Sequence, residues 1–290
     1  SKCTEYEICK KNIGELRRVD IKDPAPTLLI QDELHLVRES LGAFDGHYET
    51  FFQYMMSDLT KSKKKIKIIG ATATISSYEF QLQHLYGKSG IRFPCESPNI
   101  NENFYSKVDE DEVHRVIIGY APYAKAIING VVYSMKYLKE VVWEYYKNPS
   151  KLVEIDNIDI STEEEAMDIL KDYWFLLEYN NVKQDGNKVL GAIDSPINVE
   201  LKYQGIQEFD YRKMTGDDTF QDVRKILAEV ENTENVFEGF NLIAATSMIS
   251  HGVDADKFNK MLFFGMPGNT AEYIQAYSRA GRKYPGFVIV

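Results

Sequence analysis

Cysteine is scarce in this chain: Cys3, Cys9 and Cys95 are the three among 290 residues. They are too few and too scattered for the disulfide framework of a small secreted fold. Cys3 and Cys9 lack the second Cys or His pair that a structural zinc site needs. Long apolar runs are missing as well. No window reaches the roughly 18 consecutive apolar residues of a membrane-crossing helix. The first residues, SKCTEYEICKKN, lack the apolar stretch of a secretory signal. A reducing cytoplasm is therefore the expected setting, with no membrane partner. Positive charge is in deficit, 34 Lys and Arg against 44 Asp and Glu, for a net −10. That excludes a chain whose whole surface attracts nucleic acid. It leaves room for a local phosphate track of backbone amides, helix N-termini and a few cations. Internal repeats and low-complexity segments are absent too.

What is present is an ordinary globular composition, 44% hydrophobic and 27% charged. PTLLI suits a strand buried on both faces. A long helix is expected over about 40–59, a strand over 66–69 and a helix over 78–86. Residues 96–113, ESPNINENFYSKVDEDEV, carry Pro, Asn and acids with little periodicity and suit a linker. Alternation then restarts. HRVIIGY is a strand and 124–146 a helix. STEEEAMDILKDYWFLLEY opens on a capping-box pattern, Ser161 with Glu164, and continues as an amphipathic helix. DTFQDVRKILAEVE is helical, NLIAAT, KMLFFGM and FVIV are strands, and NTAEYIQAYSRAGR is a helix before the last of these. Strands alternating with helices predict an α/β fold of parallel sheets flanked by helices. The expected organisation is one unit over 1–95, a hinge over 96–113 and a second unit over 114–290. A helical insertion is expected near 150–210.

Two carboxylates, Asp32 and Glu33, follow the first strand in LLIQDELHLV. Ligands of open α/β sheets bind beyond the carboxyl ends of the strands. A carboxylate pair there suits Mg²⁺ and a nucleotide, one acid holding the metal and the other orienting water. A surface acid pair opening a helix is the plainer alternative. GATAT follows the next strand, and IAATSMISHGVD follows a strand of the second unit. In QAYSRAGR, Gln275, Arg279 and Arg282 are four and three residues apart, a spacing that puts them on one helical face. Two guanidiniums on one face can reach a phosphate. Taken alone, a solvated helix face is the plainer explanation.

Together these segments resemble the superfamily 2 DExH-box helicases, which have two RecA-like domains. DELH is similar to motif II, TAT (Thr72 to Thr74) to motif III, ATSMISHGVD to motif V and QAYSRAGR to motif VI. Finer stretches, QDELHLV, FYSKVDEDE, DYWFLLEYNN and the run 249–282, resemble helicase-like proteins of DISARM-type anti-phage loci. The resemblance implies an ATP-dependent helicase or translocase on nucleic acid, DNA before RNA, with ATP and Mg²⁺ as cofactors and partner proteins of a defence system. It implies that Asp32 holds the metal, Glu33 activates water and His35 couples the nucleotide to the domain interface. It assigns Thr72, Thr74, Thr246 and Gly252 to coupling or the nucleic-acid track, and Asp254 to the nucleotide or the interface. Arg279 and Arg282 are the implied arginine fingers, with Gln275 beside them.

The family's phosphate loop, G-x-x-x-x-G-K-[ST], is not in these residues. YGKSG at 86–90 matches only its end and follows a helix, so a plain turn is expected. The chain is thus expected to start after that loop and, alone, to hydrolyse ATP negligibly. A sensing or remodelling ATPase that separates no strands, and a non-catalytic RecA-like scaffold, are the alternatives.

Overall fold

The computed structural model describes residues 26–37, 39–60, 66–72, 77–99, 101–156, 158–232, 236–246 and 257–290. The chain divides into two compact units, Ser1–Cys95 and Glu96–Val290.

In the first unit, β1 (Leu28–Gln31) pairs in parallel with β2 (Lys67–Gly70), with Leu28 opposite Lys67 and Gln31 opposite Gly70. Helix α1 (Glu39–Thr60) links them, and α2 (Tyr78–Tyr86) follows. Leu34, Leu85 and Tyr86 form the core, with Leu29, Ile68, Val37 and Leu82 against it. The sequence suggested that PTLLI is buried on both faces, and this is not so. Leu28 and Ile30 are 46% and 66% exposed. Successive strand side chains point to opposite faces, and here Leu29 packs inward while its neighbours do not. The YGKSG stretch is a turn: Gly87 ends α2 at φ 61°, and the Lys88 ammonium donates to the Ile66 carbonyl at 2.8 Å.

The second unit begins with irregular, mostly exposed chain over the described residues of 96–113. Its elements are β3 (Arg115–Ile118), α3 (Ile127–Lys147), α4 (Ser150–Val153), α5 (Glu163–Asp172), β4 (Leu176–Asn180), α6 (Lys183–Ala192), α7 (Asn198–Tyr203), β5 (Tyr211–Met214), α8 (Phe220–Asn232), β6 (Leu242–Ala245), β7 (Lys260–Phe264), α9 (Thr270–Tyr277) and β8 (Gly286–Ile289). The sheet order is β3-β8-β7-β4-β6-β5, and every pair is parallel. One face is covered by α3, α6 and α7, through Met135, Val189 and Leu201 against Leu176, Leu242 and Leu262. The other is covered by α8 and α9, through Val223, Val230 and Ala276 against Leu177, Ile243 and Met261. Each fully buried Leu, Ile or Phe contributes about 1.5–3 kcal/mol to this packing.

Three expectations are corrected here. The pattern starting at STEEE does not run on as one helix: α5 stops at Asp172, and residues 176–180 form β4, all five of them buried. The stretch 150–210 is therefore not simply a helical insertion, because it supplies an interior strand of the sheet. Both-sided burial erases the alternation that marks an ordinary strand, so β4 reads as a continuation of the helix. The capping box is also one residue later than its sequence pattern suggested. Thr162 Oγ1 accepts from the Glu165 amide at 3.2 Å, and Glu165 accepts from the Thr162 amide. Among the described residues no helix is long and apolar enough to cross a membrane.

Candidate nucleotide and nucleic-acid site

In the first unit the backbone brings two short segments together at the carboxyl ends of β1 and β2. The Ala71 amide donates to the Gln31 carbonyl at 2.8 Å, and the Leu34 amide returns a bond to the Ala71 carbonyl at 3.0 Å. The chain turns sharply between them. Glu33 adopts φ 50° and ψ 43°, a left-handed conformation uncommon for a residue with a Cβ. The Glu33 amide donates to Asp32 Oδ1 at 2.9 Å, which steadies the turn. Both carboxylates stay exposed while Leu34 and His35 are buried. Gln81 of α2 donates to the Leu34 and Val37 carbonyls at 2.8 and 2.9 Å and so fastens the segment from behind.

His35 joins the two segments. Its Nδ1 lies 3.0 Å from Thr72 Oγ1 and 3.3 Å from Glu33 Oε2. The Thr72 contact is a hydrogen bond whose direction the imidazole tautomer sets, and the Glu33 carboxylate stands beside the same nitrogen. Asp32, Glu33, His35 and Thr72 are thus assembled by one turn and one strand end. Thr74 lies outside the described residues. Among the described residues no cluster of three or more His, Cys, Asp or Glu can hold a metal by itself.

In the second unit the arginines do not lie on a helix. Helix α9 ends at Tyr277. Ser278, Arg279 and Ala280 form a closing turn, and Gly281 at φ 77° sends the chain away from the helix axis. The shared helical face expected for Gln275, Arg279 and Arg282 therefore fails, since only Gln275 belongs to the helix. Gln275 is buried, Arg279 partly so, and Arg282 exposed. The loop is anchored by the Gly281 amide on the Phe258 carbonyl at 3.1 Å and the Gly286 amide on the His114 carbonyl at 2.8 Å. It therefore sits at the amino ends of β3, β7 and β8. Thr246 sits at the carboxyl end of β6, buried, its amide on the Met214 carbonyl at 3.0 Å. Thr246 and the arginines thus occupy opposite ends of one sheet. Gly252 and Asp254 lie outside the described residues. Sequence reasoning missed Gln81 and Arg115, whose partners are far away in the chain.

Residues 168–284 match the model of the helicase conserved C-terminal domain. The chain is 30% identical over 281 residues to the DISARM protein DrmA of Bacillus paralicheniformis, an alignment that covers 91% of this chain and 23% of that relative. The chain thus carries a stretch similar to the helicase conserved C-terminal domain, and its similarity to a DISARM protein runs along most of its length. Two solved helicases share its fold. The DUF1998 helicase MrfA bound to DNA and AMPPNP superposes with a TM-score of 0.54 at 17% identity, over 91% of this chain and 30% of that one. Dbp5 of S. cerevisiae bound to RNA and ADP BeF3 superposes with a TM-score of 0.52 at 13% identity, over 91% and 53%. The parallel sheets flanked by helices are thus of the RecA-like helicase kind. The chain spans 23% of the length of the DISARM relative.

Proposed function

We propose that these residues are working parts of an ATP-driven nucleic-acid helicase or translocase, acting on DNA in the cytoplasm as part of an anti-phage system. The observation that carries this is the His35 contact set. The buried imidazole hydrogen-bonds the Thr72 hydroxyl after β2 at 3.0 Å and has the Glu33 carboxylate after β1 at 3.3 Å from the same nitrogen. A surface acid pair needs no such buried histidine. A switch that reports on Glu33 to the next segment does. The MrfA structure holds DNA and the Dbp5 structure holds RNA, and the choice of DNA here follows the resemblance to DISARM-type helicases.

The residues fit a magnesium nucleotide in part. Asp32 and Glu33 offer exposed oxygen donors at a strand end, the ligand type that hard divalent cations take. Mg²⁺ usually needs only one or two protein carboxylates, the rest of its shell being water and phosphate. When bound, such an ion neutralises charge on the phosphates. The phosphate loop itself is not among the 290 residues. In this reading Asp32 holds the ion, Glu33 orients the attacking water, and His35 with Thr72 passes the state of Glu33 onward. Arg279 and Arg282 stabilise phosphate charge, Gln275 supports their loop, and Asp254 contacts the nucleotide or the interface. Thr74, Thr246 and Gly252 serve the nucleic-acid track.

The test is DNA-stimulated ATP hydrolysis and strand displacement by the whole gene product, wild type against Glu33→Gln. Loss of turnover by roughly 10³-fold or more with DNA binding retained is expected, as for removal of a catalytic base together with its positioned water. Unchanged turnover overturns the proposal. Hydrolysis without displacement turns it into a remodelling ATPase. The 290 residues alone are expected to hydrolyse ATP negligibly.

A further inference from the structure

Arg115 opens β3, far in sequence from every motif, yet its guanidinium is spent on the arginine loop. Its Nη2 donates to the Ser278 carbonyl at 3.0 Å and its Nε to the Ala280 carbonyl at 2.5 Å. The two partners are 163 and 165 positions away. They flank Arg279. The guanidinium also stands 5.9 Å from the centre of the Tyr277 ring, the last residue of α9. The final carbonyls of a helix have no partner within it and need one from outside. Arg115 provides it for the turn that leaves α9, and it does so with a planar fork that lysine cannot imitate.

The rest of the loop has little freedom. Gly281 and Gly286 are packed backbone to backbone. A Cβ on Gly281 would fall 2.5 Å from the Gly286 nitrogen and 2.6 Å from the His114 carbonyl oxygen. The path from Ala280 to Gly286 is therefore set by contact with residues 114 and 286. The turn from Ser278 to Ala280 has Arg115 as its external clamp. Burial lowers the Arg115 proton affinity, Tyr277 raises it and the Arg282 cation lowers it again.

We propose that Arg115 is a positioning residue for Arg279 and Arg282, holding the loop in the one path that presents both cations. This rests on the arginine-finger reading above. It adds a residue outside motif VI, at the end of the 96–113 segment, on which the fingers depend.

The experiment uses the whole gene product carrying Arg115→Lys, Arg115→Met, Arg279→Met or Arg282→Met, each assayed for DNA-stimulated ATP hydrolysis and thermal melting. A misplaced group costs about 10²-fold in rate when the geometry slips by about 1 Å. Arg115→Met is expected to lower kcat by roughly 10- to 100-fold with KM for ATP within about twofold. Arg115→Lys, which keeps the charge but only one directed contact, is expected to recover a part of that loss. A purely structural role would lower the melting temperature and the active fraction, and restoring the charge would not grade kcat. If Arg115→Met does not fold, Arg115→Lys decides alone, and a kcat equal to wild type overturns the proposal. If Arg279→Met and Arg282→Met both turn over normally, the finger reading fails and this inference falls with it. If they are slow and Arg115→Met is not, only this inference fails.

Discussion

Glu178 gives the sharpest stability prediction. It lies mid-strand in β4 and is fully buried. Asn180 Nδ2 donates to its Oε2 at 2.5 Å, while Glu178 Oε1 and Asn180 Oδ1 have no partner among the described residues. Burial is the main cause pushing its carboxyl up, from an ordinary 4.5 to about 8; the Asn180 bond acts the other way, and Asp185 adds to the rise. The folded state therefore holds a proton that the unfolded state releases near pH 4.5. Between those two values the native state binds more protons, so stability falls as pH rises. Each tenfold gap in proton affinity is worth about 1.4 kcal/mol, so the full fall from pH 4.5 to 8 is about 5 kcal/mol. Glutamine keeps the shape and cannot ionise. The assay is urea unfolding followed by tryptophan fluorescence, since both tryptophans, Trp143 and buried Trp174, belong to the second unit. The stability of Glu178→Gln minus that of wild type should grow by about 1.4 kcal/mol per pH unit between pH 5 and 8 and then level off. Parallel profiles across that range would refute the reasoning, because they would mean that the carboxyl titrates alike in both states.

Lys260 is the mirror case: burial brings its ammonium from 10.5 down to about 7. The unfolded chain then binds the extra proton, so stability rises as pH climbs from 7 to 10.5. Lys260→Met should remove that slope and stabilise the protein at pH 6 by as much as about 5 kcal/mol in the same urea assay, less where the neighbouring Lys139 takes up the change; no gain at pH 6 would contradict it. Gly281→Ala should cost about 2 kcal/mol or more, from the positive φ and the backbone clash together, and lower kcat of the whole gene product. An alanine variant with wild-type melting and turnover would show that the loop can take another path.

The sequence revealed those parts of this protein that depend on neighbours in the chain. LIAA and MLFF are uninterrupted apolar runs because β6 and β7 are covered on both sides, and that burial is what makes them legible. DELH and SRAGR stand out because their chemistry is concentrated in a few adjacent residues. Three things were hidden. The interior strand β4 follows α5 after three residues, two of them buried aromatics, Trp174 and Phe175, that suit either structure. The spacing of Gln275, Arg279 and Arg282 imitates a helical face, but α9 ends at Tyr277 and Gly281 turns the chain again between the arginines. The reach of Arg115 to Ser278 and Ala280 depends on β3 and β8 being paired, a tertiary fact without a local signal.

The placement of the motifs on the second sheet bears on how hydrolysis could be converted to movement in the proposed reading. Thr246 lies past the carboxyl end of β6, and the arginine loop lies before the amino ends of β3 and β8. Strands of four or five residues separate those ends, a span of about 15 Å at about 3.3 Å per residue. No side chain bridges that distance. What connects the two ends is the sheet itself, six parallel strands with buried packing on both faces. Close-packed interiors transmit displacement with little compression. A change felt by the arginines would therefore reach the Thr246 end as a rotation or translation of the whole sheet, with no local relay of contacts required. Arg115 matters more under this scheme than its single position suggests. It ties the loop to the first residue of the sheet, so whatever the arginines feel is delivered to β3 directly.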